Sequence, residues 1–365
     1  AAYAQRVVQD RCCATAPVGL GHFVMIRALS LSLAATARGS FSSTGSDGLP
    51  QHASGGARFH TATSVSGGRR ASILDAEWAA GYSEQEAIDL AYIAAAEGCK
   101  GDLSAWDCGQ CRKTPGMTDV RRQDAGVAGT HSLVGRFRGR CLVAFRGTDS
   151  LVSLLQDLRS MRVVPLPGCS ADGETCAVGD GFLSCYRVLE PHIKMDLAQI
   201  GCDQEPVSFT GHSLGGSLAL LALWDFHSSG LPVAKGYTFG QPRVGDAIFA
   251  RAFKAALAGV PVFRVTNRDD FVPHALIRGP FQHVGTEVYY WDRRTYHLCG
   301  RIEDPMCSIK HEDSLLLPLL RCGISKYICG HRTYFAQEQP EPPLLLHCLA
   351  EPSPPFLPVG ARDSP

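Results

Sequence analysis

The stretch VSFTGHSLGGSLALLAL, residues 207–223, passes from an apolar run to a helix-forming run within a few residues. A serine, Ser213, lies at the corner, and glycines stand at positions 211, 215 and 216. A chain that turns so sharply from strand to helix has a strained backbone, and glycines remove the side chains that would collide there. The pattern G-x-S-x-G between a strand and a helix is typical of a nucleophile elbow, which exposes the serine hydroxyl at the end of a sheet. We therefore predict that Ser213 is a nucleophile; the alternative is a serine that caps a helix after a glycine-rich turn.

Strand-like and helical patterns alternate on both sides of this stretch. Apolar runs predict strands at 132–137, 141–146, 206–210, 234–239, 261–267 and 286–291. Helical spacing predicts helices at 83–97, 181–200, 217–224 and 246–257. The first of these begins with a capping-box pattern at Ser83 and Glu86. The alternation predicts an α/β fold in which helices cover both faces of a mostly parallel central sheet.

Composition excludes some classes of function. The chain has 365 residues, of which 35 are basic and 35 acidic. This balance, without a basic stripe interleaved with aromatic residues, gives no electrostatic basis for binding nucleic acid. No apolar run approaches the roughly 18 to 20 residues that a transmembrane helix needs, so we expect no transmembrane anchor. The oligomeric state is not indicated by any pattern.

The 15 cysteines indicate an oxidising environment. The C-x-x-C motif at 108–111 would need a second cysteine pair or histidines at finger-like spacing to form a zinc site, and the sequence has neither in position. Two other pairs, Cys169 with Cys176 and Cys299 with Cys307, are spaced to close short hairpins through disulfides. We therefore expect structural disulfides and no metal.

Four regions are predicted along the chain. Residues 1–37 are a candidate leader or signal peptide, because a basic start at Met25 precedes a short apolar segment with a small-x-small end; a disordered leader is the alternative. Residues 38–71 are rich in Gly and Ser and predict a flexible linker. Residues 72–335 hold the alternating α/β pattern. Residues 336–365 form a proline-rich tail without periodicity.

A nucleophilic serine needs a histidine as base and a carboxylate that orients the histidine, and in proteins with this elbow both follow the serine in the chain. The strand predicted at 261–267 leads directly into Asp269 and Asp270. Adjacent side chains at the end of a strand diverge, so only one of the two can face the histidine. The alternative for both is a turn carboxylate that bonds its own backbone.

Seven histidines follow Ser213. His227 lies on the helix after the elbow and is too close to fold back, and His347 lies in the tail. His274 lies four residues after Asp270, where it would more naturally line a substrate pocket than complete the triad. Spacing does not choose among the remaining four, which are His283, His297, His311 and His331.

An oxyanion that forms at the attacked carbonyl needs hydrogen-bond donors. One is the backbone N–H of Leu214, the residue after the nucleophile, and another comes from the loop after an early strand. The run FRGTD at 145–149 fits that loop, because a strand ends there, Gly147 permits a turn, and Thr148 offers both its N–H and its hydroxyl. The alternative is an ordinary turn of the same composition.

Four motifs stand in order along the chain: LVAFRGT at 142–148, GHSLGG at 211–216, FGQPRVGD at 239–246 and NRDDFVPH at 267–274. Together they resemble the fungal-type class 3 lipases, and the similarity extends over residues 83–335. The resemblance implies the α/β-hydrolase fold. It also implies Ser213 as nucleophile, Asp270 as orienting carboxylate and Thr148 as a side-chain oxyanion donor.

The final motif of the family is similar to GHRTYF at 330–335, and this similarity selects His331 as the base. Gly330 occupies a position at which the family usually has an acid, and the connection at 308–329 is longer and more apolar than usual. The resemblance also implies three disulfides, namely Cys108–Cys111, Cys299–Cys307 and a long bridge from Cys99 to Cys348.

Family lipases carry a short amphipathic lid directly after the oxyanion loop. Residues 150–158, SLVSLLQDL, hold leucines in a helical window that suits a flap over an apolar cleft. Leu151, Leu154 and Leu155 are the predicted substrate contacts. The alternative is a surface helix packed permanently on the core. The tryptophan that is typical of family lids is absent from this window.

These expectations combine into a secreted carboxylester hydrolase, foremost a triacylglycerol lipase, that works through an acyl-enzyme and needs no metal or organic cofactor. Its partner is a lipid or ester substrate, met at a lipid–water interface if the lid operates. Two alternatives stay open. One is a feruloyl-type esterase or phospholipase on the same scaffold, and the other is a catalytically inactive hydrolase-like binding protein.

Overall fold

The computed structural model of the chain describes residues 81–124, 130–148, 157–158, 160–268, 270–275, 279–310 and 330–335. All of these residues belong to one compact unit. The predicted leader at 1–37, linker at 38–71 and tail at 336–365 lie outside the described residues and stay predictions.

The helices of the described residues are α1 (Glu84–Ala96), α2 (Gly109–Lys113), α3 (Asp180–Gln199), α4 (Leu214–Ser228) and α5 (Ala247–Ala256). The strands are β1 (Met117–Asp124), β2 (His131–Phe137), β3 (Arg140–Phe145), β4 (Val163–Ala171), β5 (Glu174–Gly179), β6 (Val207–His212), β7 (Val233–Phe239), β8 (Gly245–Asp246), β9 (Val262–Asn267), β10 (Phe281–Gln282), β11 (Thr286–Tyr290) and β12 (Tyr296–Leu298). A 3-10 turn, Val272–His274, follows β9. Within the described residues, no helix combines the length and the apolar character needed to cross a bilayer.

The main sheet has eight strands in the order β1-β2-β3-β6-β7-β9-β11-β12. Neighbours from β3 to β11 pair in parallel, whereas the outer strands β1, β2 and β12 pair antiparallel. Parallel strands present their carboxyl ends at one edge, so the loops after β3, β6 and β9 meet at that edge. The predicted mostly parallel central sheet is confirmed. A smaller sheet, in the order β10-β8-β5-β4, also forms.

Alternate residues of the central strands face two separate cores. Val143 and Phe145 of β3 belong to the core that also holds residues of α3, α4 and α5. Leu142 and Ala144 of the same strand belong to the core that holds residues of α1. Helices therefore cover both faces of the sheet, and the predicted α/β-hydrolase architecture is confirmed.

Sequence patterns predict some of the helices and strands and miss others. The predicted helix start at Ser83 is confirmed, since its side chain accepts a hydrogen bond from the backbone N–H of Glu86 at 3.3 Å. The sequence pattern does not predict β1, MTDVRRQD, because this edge strand is mostly polar and its side chains are largely exposed. Nor does it predict β8, β10 and β12, which have two, two and three residues and no periodic pattern to read.

Three of the expected disulfides are present: Cys108–Cys111, Cys169–Cys176 and Cys299–Cys307. The second of these closes the hairpin of β4 and β5, as the spacing predicts. A further bridge, Cys141–Cys202, is not predicted by the sequence and ties the start of β3 to the segment before β6. Cys99 is also disulfide-bonded, and Cys348, the partner that the resemblance implies, lies outside the described residues.

Candidate active site

The backbone at Ser213 is strained. β6 ends at His212 and α4 begins at Leu214, so a single residue makes the corner, with φ of 58° and ψ of −124°. A positive φ is rare for a residue other than glycine and costs about 1–3 kcal/mol, so it persists only where the surroundings fix it. A β-carbon at Gly215 would overlap the carbonyl group of Phe145 at the end of β3. Glycine at this position therefore lets the elbow lie directly against the strand that leads into the predicted oxyanion loop.

The hydroxyl of Ser213 is buried and has no hydrogen-bond partner among the described residues. The loop after β3 passes beside it, since a β-carbon at Gly147 would lie 3.4 Å from the β-carbon of Ser213. Thr148 is the next residue of this loop and is partly exposed. Leu214 is the first residue of α4, where a backbone N–H has no acceptor within the helix. Both predicted oxyanion donors therefore lie close to the serine.

His331 and Asp270 are in contact. Nδ1 of His331 lies 2.9 Å from each carboxylate oxygen of Asp270, and both side chains are buried. A carboxylate accepts, so Nδ1 donates and carries the hydrogen. Nε2 of His331 is left to accept a proton, and this buried atom has no partner among the described residues.

Asp270 also accepts hydrogen bonds from two other groups. The backbone N–H of Val272 donates to Oδ1 at 2.9 Å, and the hydroxyl of Tyr334 donates to Oδ2. Burial acts to raise the pKa of Asp270, but His331, Tyr334 and the Val272 N–H outweigh it and hold the pKa below its ordinary value. Burial, followed by the nearby Asp270 charge, raises the pKa of Tyr334 well above its usual value. Asp270 is therefore ionised and Tyr334 protonated at neutral pH.

His212 packs against the imidazole of His331, with ring centroids 4.4 Å apart and ring planes at 37°. Its Nε2 lies 2.8 Å from the backbone carbonyl oxygen of His331, and since a carbonyl only accepts, Nε2 carries the hydrogen. Burial, and next the nearby His331, hold the pKa of His212 well below its usual value. His212 is therefore a neutral donor at neutral pH.

Asn267, the last residue of β9, contacts the segment that carries His331. Its Nδ2 donates to the carbonyl oxygen of Gly330 at 2.8 Å and to that of Thr333 at 3.2 Å. The sequence patterns predict no role for Asn267, His212 or Tyr334. The available signal was their place in the sequence motifs, in which each lies within three residues of a predicted triad member.

The other described histidines make different contacts. His283 is buried, and its Nε2 donates to the carbonyl oxygen of Pro273 at 2.9 Å. His297 lies in the edge strand β12 and is partly exposed. Among the histidines that the structure describes, only His331 has a hydrogen bond to Asp270.

His274, the predicted pocket residue, is buried in polar surroundings. Burial lowers the pKa of His274 to about 4, although the charge of Glu287 opposes the shift, so the imidazole is neutral at neutral pH. Arg264 also acts on it, and Arg264 and Glu287 form a buried ion pair at 3.1 Å between Nη2 and Oε2. Contact between His274 and a substrate stays a prediction.

Several predicted site residues lie outside the described residues, namely Leu151, Leu154, Leu155, Asp269 and His311. At the far end of the predicted lid, Leu158 is described and is buried in the core that holds residues of α3. The lid and its substrate contacts stay predictions.

One group of described side chains has the composition of a metal site. Ligand atoms of Glu287, Cys299 and Cys307 lie within 4.8 Å of one another. The two cysteines form a disulfide with each other, so neither offers a thiolate to an ion. These three residues therefore do not fit a metal.

A family model described as Lipase (class 3) matches residues 142–279. A lipase from Rhizomucor miehei is 29% identical over 291 residues, which cover 73% of this chain and 74% of that protein. The secreted mono- and diacylglycerol lipase 2 of Gibberella zeae is 30% identical over 217 residues, which cover 49% of this chain and 52% of that protein. A solved triacylglycerol lipase, whose catalytic centre is formed by a serine protease triad, is 25% identical with a TM-score of 0.57 over 70% of this chain and 96% of that chain.

Proposed function

We propose that this chain, which is similar to the class 3 lipases, is a carboxylester hydrolase that acts on acylglycerols through a Ser213-His331-Asp270 triad. The observation that carries this proposal is the bond between Nδ1 of His331 and the buried Asp270 carboxylate. Nε2 of His331 and the hydroxyl of Ser213 are both buried, and neither has a hydrogen-bond partner among the described residues. These are the groups between which a proton must pass.

The reaction begins when Ser213 attacks the ester carbonyl and its proton passes to Nε2 of His331. Asp270 keeps the hydrogen of His331 on Nδ1, so Nε2 is the basic nitrogen. Since Asp270 is ionised, it also stabilises the imidazolium that forms. His331 then gives the proton to the departing alkoxide, and water releases the acyl group with His331 again acting as base.

The negative charge that develops on the carbonyl oxygen is stabilised by two groups. The N–H of Leu214 points out of the first turn of α4, where the helix dipole favours negative charge. Thr148 supplies its hydroxyl and N–H from the loop beside Ser213. This proposal is supported by the close approach of Gly147 in that loop to the serine.

The substrate and the location of the protein complete the proposal. The relatives that resemble this chain include a mono- and diacylglycerol lipase and a triacylglycerol lipase, which supports acylglycerols as the substrate class. Four described disulfides fit an oxidising compartment, and the Gibberella zeae relative is secreted. We propose that this protein is secreted and meets its substrate at a lipid–water interface.

Hydrolysis of tributyrin and of a long-chain triglyceride emulsion tests the proposal. Ser213→Ala and His331→Ala should each lower the rate by about 10³-fold or more, because the members of a triad act as a unit. Ser217→Ala is the matched control, since Ser217 is a buried serine one turn along α4 whose hydroxyl also lacks a described partner. It should keep the wild-type rate. Wild-type hydrolysis by Ser213→Ala would refute the serine mechanism.

Aromatic esters and phospholipid vesicles, assayed beside these triglycerides, separate the alternatives. A feruloyl-type esterase would cleave short aromatic esters and leave the triglyceride emulsion intact, and a phospholipase would prefer phospholipid vesicles. A catalytically inactive binding protein would hydrolyse none of these substrates. Chain-length dependence on p-nitrophenyl esters then defines the acyl preference.

A further inference from the structure

The segment that carries His331, residues 330–335, is not one of the eight strands of the main sheet. We call it the base segment. It makes an isolated bridge at Thr333 and lacks the continuous strand pairing that places the elbow. Side chains bond several of its backbone carbonyl groups instead, and the donors are His212, Asn267 and Arg293.

Asn267 holds the base segment on both sides of His331. The residue is buried at the end of β9, three positions before Asp270. Both of its described amide bonds go to the base segment, at 2.8 Å to Gly330 and at 3.2 Å to Thr333. The strand that leads to the acid of the triad therefore also holds the base.

His212 holds the base segment at His331 itself. It is the last residue of β6 and directly precedes Ser213. Its Nε2–H bonds the His331 carbonyl at 2.8 Å, and its ring lies against the His331 ring. The strand that leads to the nucleophile is in this way tied to the base.

The neutral state of His212 matters for the chemistry. When His331 takes the proton from Ser213 it becomes a cation, and a second cation with its ring centroid 4.4 Å away would oppose that step. Burial and the neighbouring His331 keep the pKa of His212 well below its usual value, so no second cation is present at neutral pH. His212 can therefore donate to the carbonyl without weakening the base.

We propose that His212 and Asn267 are positioning residues that together clamp the base segment and so fix Nε2 of His331 within reach of Ser213. The proposal rests on the proposed function of the triad. A general base must lie within about 2.6–3.2 Å of the group whose proton it takes. A displacement of about 1 Å costs on the order of 10²-fold in rate.

Kinetics of a soluble ester give the first test. His212→Phe keeps a ring and removes the donor, and Asn267→Asp keeps the shape and replaces the donor by an oxygen. Each should lower kcat by about 10- to 100-fold with little change in KM, because neither residue is placed in the substrate site. His212→Gln, which restores an N–H donor, should recover most of the kcat lost in His212→Phe.

Tyr186→Phe is the matched control. The hydroxyl of Tyr186 donates a hydrogen bond to Asp225 at 2.9 Å, and this bond joins α3 to α4. The variant therefore loses a comparable hydrogen bond outside the base segment. Its kcat should equal that of the wild type. If the His212 and Asn267 variants lose no more kcat than this control, the clamp is wrong.

Proton NMR provides a readout that does not depend on activity. The Nδ1–H of His331, bonded to Asp270, should give a low-field imidazole resonance in the folded wild type. This resonance should shift or broaden in His212→Phe and Asn267→Asp and stay in place in Tyr186→Phe. An unmoved resonance in both variants would overturn the clamp, whereas a wild type with the resonance and no ester hydrolysis would overturn the proposed function alone.

Discussion

A buried carboxylate remains an anion only where donors replace the water that it has lost. Asp270 has three such donors, on His331, Tyr334 and Val272. Two of them, on His331 and Tyr334, come from the base segment, so the acid and the base of the triad stabilise each other. The charge that orients His331 therefore depends on Tyr334 as well as on the histidine itself.

In the pH profile of kcat/KM, Tyr334→Phe should move the loss of activity on the acidic side, the acid limb, to higher pH. The pKa of Asp270 lies below its ordinary value, so the stability that its ionisation contributes is present above the unfolded pKa and is lost as pH falls through the folded pKa. Without the hydroxyl the folded pKa rises, and both stability and kcat/KM are lost at a higher pH than in the wild type. Urea unfolding at neutral pH should show a loss of about 1.5–3 kcal/mol.

Tyr186→Phe serves again as the control for this experiment, because its hydroxyl bonds Asp225 rather than Asp270. It should leave the acid limb of kcat/KM where the wild type has it. An acid limb that does not move in Tyr334→Phe would contradict the role given to that hydroxyl.

The sequence identifies some site residues and not others for a physical reason. Ser213 stands in a local motif, and the carboxylate is narrowed to two adjacent residues by the strand that precedes it. The base is not chosen by spacing, since 61 residues separate Asp270 from His331 and their contact is made only by the fold. His212 and Asn267 stand in the sequence motifs, but they bond backbone carbonyl groups, and a motif does not show which carbonyl groups the fold brings to them.

At the scale of elements, the parallel strands are predicted well. β3, β6, β7 and β9 lie within the sheet and are largely buried, so they form runs rich in apolar and β-branched residues that end at turns. The edge strand β1 is different, because its polar and exposed residues give neither an apolar run nor a clean alternation. The sequence therefore predicts the elements that carry the site better than those at the edge of the sheet.

The disulfide Cys141–Cys202 joins β3 to the segment before β6 at the ends remote from Ser213. It closes a loop with a sequence separation of 61, and such a loop contributes about 4 kcal/mol by restricting the unfolded chain. Replacing both cysteines by serine should lower the free energy of unfolding in urea by about that amount. Activity on a soluble ester should persist under conditions in which the variant remains folded.

Removal of Cys169–Cys176 is the comparison for this prediction. That bridge closes a separation of only 7 residues, so its loss should cost less stability. Equal losses for the two double variants would show that loop length does not govern the stabilisation.

At the scale of the whole molecule, parallel pairing gathers distant motifs at one edge of the sheet. The loops after β3, β6 and β9 bring 145–148, 211–216 and 267–274 together, as expected for an open α/β sheet. This convergence follows from the alternation of strands and helices in the sequence. The base segment at 330–335 is the exception, because it has an isolated bridge at Thr333 instead of a paired strand, and side chains bond its backbone carbonyl groups.

Stability of the fold should fall as pH rises from the ordinary pKa of a glutamate to about 8, because of Glu97. This fully buried residue follows α1, and burial raises its pKa to about 8 although Arg122 and Arg146 oppose the shift. The unfolded chain ionises near the ordinary value, so this group lowers the stability as pH rises from there to the folded pKa. Glu97→Gln removes the titration and should gain stability relative to the wild type as pH rises.

Urea unfolding at about pH 5 and at about pH 8.5 checks this prediction, because the two values lie near the unfolded pKa and above the folded one. The difference in unfolding free energy between Glu97→Gln and wild type should be more favourable to the variant at the higher pH. A difference that is the same at both values would show that Glu97 does not titrate between them.

The most direct test of the central claim is covalent labelling with a serine-directed fluorophosphonate, with the modified residue located by mass spectrometry. The triad predicts that the label attaches to Ser213 in the wild type. It also predicts that the labelling rate falls by about 10²-fold or more in His331→Ala, because the serine then lacks its base. A label on another serine, or labelling of Ser213 at the wild-type rate in His331→Ala, would contradict the account.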